Sequence, residues 1–284
     1  MTAITSAGSG ENIQLIKNRE ADLAILQGLY GAMAWYGKGI YQDKPEKDFL
    51  SITMLWQNVE HFVVLSKYVK SGNISDLKNI SNMNFSIGRR GSGTEISGRT
   101  ILSACGFLPD DDFNLQYLGY TASAQALQDG RIVGMNIPAG PPASAVTQAI
   151  ATIGANNINI LEFTSEQLKN INADFPVWTH YIIKSGTYPG QDKDIRTISQ
   201  ANLLVVHREI SEEAVYQITK CIYQKLTTLQ NIHPATNAMS LQKAITGLSV
   251  PLHPGAFRFY KENKIKIPNH LVPDQFKAQN PESN

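Results

Sequence analysis

What this chain has little of narrows it first. There are two cysteines in 284 residues, Cys105 and Cys221. They lie far apart, so neither a disulfide framework nor a zinc-type Cys spacing is present, and both read as small buried hydrophobes on helices. Six histidines (His61, His180, His207, His233, His253 and His270) are scattered, with no His-x-x-x-His pair to hold a metal on a helix. Charge is sparse as well: 17% of residues, with 25 basic and 24 acidic side chains giving a formal net charge of +1. Without a basic run or an Arg/aromatic stripe, no nucleic-acid partner is expected. Apolar runs such as Leu203-Leu204-Val205-Val206 are far too short to span a bilayer. The start, Met1-Thr2-Ala3-Ile4-Thr5, has neither a basic region nor an apolar targeting core. That leaves a cytoplasmic protein or a chain whose leader has been removed. Catalytic motifs are missing too. Gly31 with Lys38-Gly39 has the wrong glycine spacing for a phosphate-binding loop, and no Ser or Thr follows the lysine. Gly91-Ser92-Gly93 is not a nucleophile elbow. No nucleophile has a sequence-evident base. These gaps favour binding over catalysis, with no metal or cofactor.

What is present is an ordinary globular composition, 42% hydrophobic, at a length that suggests about two domains. Strand-like runs fall at Leu23–Leu26, Ser51–Trp56, His61–Leu65, Asn84–Ile87, Leu115–Leu118, Val133–Ile137, Asn159–Glu162, Tyr181–Ile183 and Asn202–Val206. Helical patterns lie between them at Glu11–Arg19, Leu29–Trp35, Thr94–Ala104, Ser123–Gln128, Ala143–Ile153, Glu166–Ile171 and Ser211–Leu229. This alternation predicts α/β architecture with largely parallel sheets, whose ligands gather at the carboxyl ends of strands. Ser211 before Glu212-Glu213 reads as a helix cap with acids in the first turn. Ile74–Lys78 reads as a short capped helix, and the residues from Gln279 onward as a polar tail.

The most informative stretch is Gly88-Arg89-Arg90-Gly91-Ser92-Gly93-Thr94-Glu95, between the strand Asn84–Ile87 and a helix. Gly91 and Gly93 let the backbone turn freely, so successive N–H groups can point at one spot. Ser92 and Thr94 add hydroxyls, and the helix start adds partial positive charge. Two readings stand: an oxyanion socket, or an ordinary loop with a Ser/Thr cap.

Further segments carry a family resemblance. Beside Ile80–Thr94 and its glycine-rich loop stand Ala124-Gln125-Ala126-Leu127-Gln128-Asp129-Gly130, Ser185-Gly186-Thr187-Tyr188-Pro189-Gly190-Gln191-Asp192 and Pro251-Leu252-His253-Pro254-Gly255-Ala256. Together, from Ser6 to about Pro268, they resemble the TAXI family, the extracytoplasmic solute receptors of tripartite ATP-independent periplasmic (TRAP) transporters. The resemblance implies a type II periplasmic-binding-protein-like fold: two α/β lobes joined by a hinge. Residues 1–82 and 201–284 would form lobe I, and 83–200 lobe II. It implies a periplasmic protein that binds a small organic anion, an amino acid such as glutamate or a dicarboxylate, and delivers it to a TRAP-type permease. Ser92, Gly93 and Thr94 match the loop expected to hold a solute carboxylate, and Ser6–Asn12, with Ser9 and Asn12, resembles the segment facing it. The family also opens with a strand, a glycine-rich loop and a long helix that have no counterpart before Thr5. The resemblance therefore implies a lobe I lacking its N-terminal strand and helix, through truncation or a late start.

Other candidates come from position. Gln27 and Tyr30 follow the first strand, where they would either touch a ligand or pack the loop. Tyr120 could shelve an apolar stem or join the core. Pro138, Ala139 and Gly140 would form a rigid wall, since prolines cannot donate. Arg90 would bond a carboxylate or stay exposed. Tyr188 and His253 read as structural, and Trp56 and Trp178 as packing. A competing expectation is an enzyme on a related two-lobed scaffold, acting on a phosphorylated or carboxylate substrate through acids such as Glu11 or Glu95.

Overall fold

A computed structural model describes residues 2–232 and 234–277. His233 and the C-terminal tail expected from Gln279 lie outside the described residues. The strands are β1 (Leu23–Gln27), β2 (Phe49–Val59), β3 (Phe62–Leu65), β4 (Asn84–Ser86), β5 (Asn114–Gln116), β6 (Gly134–Asn136), β7 (Ile158–Ile160), β8 (Thr179–Ile183) and β9 (Ile195–His207). Each overlaps a strand-like run in the sequence, though β9 begins seven residues before the run at Asn202–Val206. The helices are α1 (Ser9–Lys17), α2 (Gly28–Tyr36), α3 (Gly93–Ala104), α4 (Pro109–Asp112), α5 (Tyr120–Gln128), α6 (Ser144–Ile153), α7 (Ser165–Ile171), α8 (Glu212–Gln224), α9 (Leu226–Gln230), α10 (Pro254–Glu262) and α11 (Asp274–Lys277). The long helix expected over Ser211–Leu229 breaks at Lys225, whose φ of −108° leaves the helical region. Caps account for several starts: Ser211 Oγ accepts the Ala214 N–H, and Thr164 with Gln167 completes a reciprocal capping box. The short helix from Ile74 is 3₁₀, capped by Asn73.

The chain divides into two compact units, Met1–Trp56 with Ala201–Asn284, and Gln57–Gln200. The first crossing therefore falls after Trp56 and not after Asn82. The reason is β3, which pairs with β6 and β7 and so ties the residues after Trp56 into the second unit.

In the first unit, β1 runs antiparallel to the 202–206 half of β9. Helices α8 and α10 pack closely because residue 255 is glycine. A Cβ there would lie 2.2 Å from the Glu212 carbonyl oxygen and 2.6 Å from the Tyr216 nitrogen. His253 caps α10 through its Nδ1, which accepts the Gly255 N–H. The Pro-Leu-His-Pro-Gly-Ala string is thus a helix-start and helix-contact device. Cys221, read from the sequence as buried, is exposed on α8, whose inward positions include Val215 and Thr219; Cys105 is half-buried.

The second unit holds a five-stranded sheet in the order β5-β4-β6-β3-β7. Parallel pairing is confined, among the described pairs, to β4 with β5 and β6, the part built by crossovers through α3 and α5. β3 lies antiparallel between β6 and β7, and β8 antiparallel to the 195–199 half of β9. The expectation of largely parallel sheets is corrected accordingly. Phe62, Phe85, Phe113 and Phe163 are buried and in ring contact, and burial of such a side chain contributes about 2 kcal/mol. This core fixes the strand ends from which the polar residues described next emerge.

Candidate functional site

The glycine-rich loop forms the strand–loop–helix turn expected of it, and its details narrow the proposed socket. Gly88 has φ of 99°, and a Cβ there would sit 2.5 Å from Thr94 Cγ2, so only glycine fits beside the helix start. Ser92 is the N-cap of α3: its Oγ accepts the Glu95 N–H at 3.2 Å and donates to the Arg89 carbonyl at 2.6 Å. The Gly91 N–H donates to Glu95 Oε2 at 2.7 Å, and the Ser92 N–H to the Arg89 carbonyl. Glu95 is also paired with Arg99. The polypeptide thus satisfies the Gly91, Ser92 and Glu95 amides of this loop itself, and one of its own carboxylates occupies part of the nest. Ser92 is a cap, worth about 1 kcal/mol to the helix, rather than a free donor. Gly93 and Thr94, both buried, occupy the first two helical positions, whose N–H groups have no partner within an α-helix. Arg90 is exposed and its guanidinium lies 3.6 Å over the Tyr117 ring.

A second group of polar residues, gathered beside α3, has the stronger claim. Glu60 follows β2 directly and is fully buried, with its backbone fixed by β9: its N–H donates to the Ile198 carbonyl and its carbonyl accepts Thr197 Oγ1. Around its carboxyl group stand Asn136 at the end of β6, Ser97 on α3, Gln200 on β9 and the Trp178 indole. These groups favour the charged carboxylate, yet neither Glu60 oxygen makes a hydrogen bond of full geometry. Both amide atoms of Asn136 and the indole nitrogen of Trp178 also lack a partner. Burial therefore prevails, and the carboxyl is raised from 4.5 to about 7. No ion pair to Glu60 occurs among the described residues. Unpartnered buried polar atoms are costly, at about 1–3 kcal/mol each. Four such atoms on Glu60 and Asn136, with the indole nitrogen beside them, mark a place built to meet something other than apolar packing.

The wall of this site is fixed by a chain of hydrogen bonds. The Ala143 N–H donates to Tyr188 Oη at 3.0 Å, and Tyr188 Oη lies 2.7 Å from His61 Nε2. His61 Nδ1 lies 2.9 Å from the Ile137 carbonyl. Because a carbonyl only accepts, Nδ1 carries the proton and Nε2 accepts from tyrosine. The imidazole is neutral, and burial holds its pKa down to about 4. The Thr-Tyr-Pro-Gly-Gln-Asp string thus positions Tyr188, which pins the segment from Pro138 to Ala143. Pro138 is buried, and Ala139 and Gly140 are half-buried, with Ala139 bonded reciprocally to Val59. Tyr120 donates to the Pro138 carbonyl at 2.6 Å and accepts from Thr94 Oγ1 at 3.2 Å. The residue as a whole is 37% exposed, yet burial of its hydroxyl raises that group to about 12. Thr94, Tyr120 and Pro138 are therefore brought together, and the field of Glu60 reaches the Tyr120 hydroxyl.

The candidates of the first unit form their own cluster around β1. Ser9 Oγ accepts the Gln27 N–H at 3.1 Å, and Asn12 Nδ2 donates to the Ile25 carbonyl at 2.9 Å. Both anchor α1 on β1. Gln27 is buried with an unpartnered Oε1, and Tyr30 is buried edge-on to Tyr41. Glu11 is exposed and bonds the Ala7 N–H. Glu95 is buried but held by Arg99 and the Gly91 N–H, whereas Glu60 is fully buried with no ion pair among the described residues. Its sequence signal is an acid interrupting the apolar run Val59-Glu60-His61-Phe62-Val63-Val64. Trp178, expected to serve packing alone, lends that acid a polar neighbour.

The molecule is thus an α/β protein of two units, the second carrying an enclosed polar site at the ends of its strands. Its sequence matches the NMT1-like family over residues 1–263, and the chain belongs to that family. Among solved structures it is similar to MatC from Rhodopseudomonas palustris with bound malate, at 14% identity and a TM-score of 0.49, over 90% of this chain and 83% of that one. It is also similar to the periplasmic aliphatic sulphonate binding protein SsuA from Escherichia coli, at 11% identity and 0.44, over 90% and 70%. A third similarity is to the alkanesulfonate-binding SsuA from Xanthomonas axonopodis pv. citri bound to MOPS, at 12% and 0.45, over 97% and 81%. The ligands named there belong to those proteins. No helix among the described residues is long and apolar enough to cross a membrane.

Proposed function

We propose that this chain is an extracytoplasmic solute receptor of the TRAP type: it captures a small organic anion in the periplasm and hands it to a membrane permease, without covalent chemistry. Membership of the NMT1-like family and the resemblance of its motifs to TAXI receptors support this reading. The observation that carries it is the enclosed set of unpartnered polar atoms on Glu60, Asn136 and Trp178, next to the α3 start at Gly93 and Thr94. Asn136 ends β6 and Glu60 follows β2, so both stand at carboxyl ends of strands, where α/β proteins place ligands. The donors there, an indole N–H, an amide NH₂ and a helix N-terminus, suit an oxygen-rich solute. Ligand at a hundred times its Kd would stabilise the fold by about 2.7 kcal/mol, a readable thermal shift. The test is a melting and calorimetry panel of amino acids, dicarboxylates and sulfonates. At least one is expected to bind, and the Asn136→Ala, Trp178→Phe double variant to lose it. Silence across the panel would refute the reading.

One observation favours a second reading. A buried carboxyl near pH 7 suits a general acid or base, and Glu60 is such a group. An enzyme acting on a phosphorylated or carboxylate substrate would turn over with a pH-dependent rate, abolished in Glu60→Gln while binding survives. No turnover across such a panel would dismiss it.

A further inference from the structure

The receptor reading leaves one chemical conflict at its centre, because the proposed solute is an anion and the group at the heart of the site is a carboxyl. Glu60 is fully buried, and among the described residues no lysine, arginine or histidine is paired with it. The groups facing it come from several elements: Ser97 on α3, Tyr120 on α5, Asn136 on β6, Trp178 before β8 and Gln200 on β9. Of these, only Tyr120 titrates, and it stays neutral up to about 12. His61, the next residue, is committed to Ile137 and Tyr188 and stays neutral above about 4. Glu95, on α3, is held by Arg99 and the Gly91 N–H. None of the groups facing the Glu60 carboxyl carries a positive charge, so none of them offsets two like charges.

A carboxylate solute reaching the unpartnered donors of Asn136 and Trp178 would meet either an ionised Glu60, which repels it in a low-dielectric enclosure, or a neutral acid, whose O–H is one more donor aimed at an oxygen. The second arrangement satisfies the buried acid and the solute with one bond. Proton and solute then stabilise each other, as linkage requires.

Resting on the receptor reading, we propose that Glu60, with Asn136 and Trp178, is the solute-recognising subsite of the second unit, and that it takes up a carboxylate-bearing solute together with one proton. The proton stays on Glu60 as its carboxylic acid O–H and is shared with a solute oxygen; no bond of the solute is made or broken. With Glu60 titrating near 7 in the free protein, affinity falls by roughly 30-fold between pH 6 and pH 8.5.

The experiment is calorimetry of the full chain with L-malate and L-glutamate at pH 6 and pH 8.5, each in two buffers of different ionisation enthalpy, so that protons bound per solute are read directly. Uptake near zero at pH 6, approaching one at pH 8.5, with the 30-fold loss of affinity, is the expected result. Glu60→Gln keeps a neutral donor; it is expected to take up no proton and to bind at pH 8.5 about as tightly as the parent does at pH 6. Binding with equal affinity and no proton uptake at both pH values overturns this inference and leaves the receptor reading standing. A variant that keeps the parent's pH dependence overturns it too. Failure of both probes and the whole organic-anion panel at pH 6 overturns the receptor reading, and this inference with it. Should Glu60→Gln not fold, the proton count on the parent chain decides.

Discussion

Replacing Glu60 by glutamine is expected to change how stability depends on pH, and the sign can be worked out. The folded chain holds a proton on Glu60 that the unfolded chain releases between 4.5 and about 7. Stability is therefore lost as pH rises through that window and is level above it. Carrying a buried carboxyl over that interval corresponds to roughly 3 kcal/mol at pH 8.5, and to about 1 kcal/mol at pH 5. The neighbouring residue works in the opposite sense. His61 is depressed from 6.5 to about 4, so the unfolded chain binds a proton the folded chain refuses, and stability rises with pH across that window. In the parent protein the two contributions nearly cancel and the dependence is shallow. In Glu60→Gln the histidine acts alone, and stability climbs between about pH 4 and 6.5. Urea unfolding from pH 5 to 8.5, followed by tryptophan fluorescence, compares the two proteins. The difference between variant and parent is expected to grow by roughly 2 kcal/mol over this range. Parallel curves would refute the reasoning, because they would mean that Glu60 is solvated in the folded state.

Other positions make independent claims. Tyr188→Phe removes the hydroxyl that joins Ala143 to His61, leaving a buried N–H unbonded; a loss of roughly 1–3 kcal/mol is expected by urea unfolding, with a shift in the His61 imidazole NMR signals. Gly255→Ala places a methyl 2.2 Å from the Glu212 carbonyl oxygen, so α10 must move off α8; a loss of about 3 kcal/mol or more in the same assay is expected, and a neutral result would contradict this packing. Gly88→Ala meets both a φ of 99° and Thr94 Cγ2 at 2.5 Å, and is expected to lower the melting temperature and weaken any ligand held at the α3 start. Arg90→Ala, by contrast, removes an exposed side chain stacked on Tyr117, and solute affinity is expected to stay within about twofold, read by calorimetry.

Much of the secondary structure was legible because it rests on local pattern. β1 to β9 announce themselves by short apolar runs, and most helices by periodicity and by caps such as Ser211 and Ser92, whereas α4, α10 and α11 were not read. Pairing was less legible. Nothing in Phe62-Val63-Val64-Leu65 says that this strand inserts antiparallel between β6 and β7, and that insertion moves the first crossing from Asn82 back to Trp56. The site divided in the same way. The glycine-rich turn was readable in part: Gly91 has the positive φ expected of it, but the other such residue is Gly88, and Gly93 is helical. Ser92 as a cap was one of the two readings, but that Glu95 would fold back onto the Gly91 N–H was not legible, because its side-chain direction is set by the helix it sits on. Glu60 escaped notice for a related reason: an acid at a strand end reads as exposed unless the residues closing over it, Asn136, Trp178 and Gln200, are known, and they lie 76 to 140 positions further along.

A crystal structure of the chain grown at pH 6 with whichever organic anion stabilises it most tests the account directly. The prediction is a solute oxygen within hydrogen-bonding distance of Glu60, with Asn136 Nδ2 and Trp178 Nε1 donating to the same molecule. A solute bound elsewhere, with the Glu60 carboxyl turned onto protein donors and closed off, would contradict it.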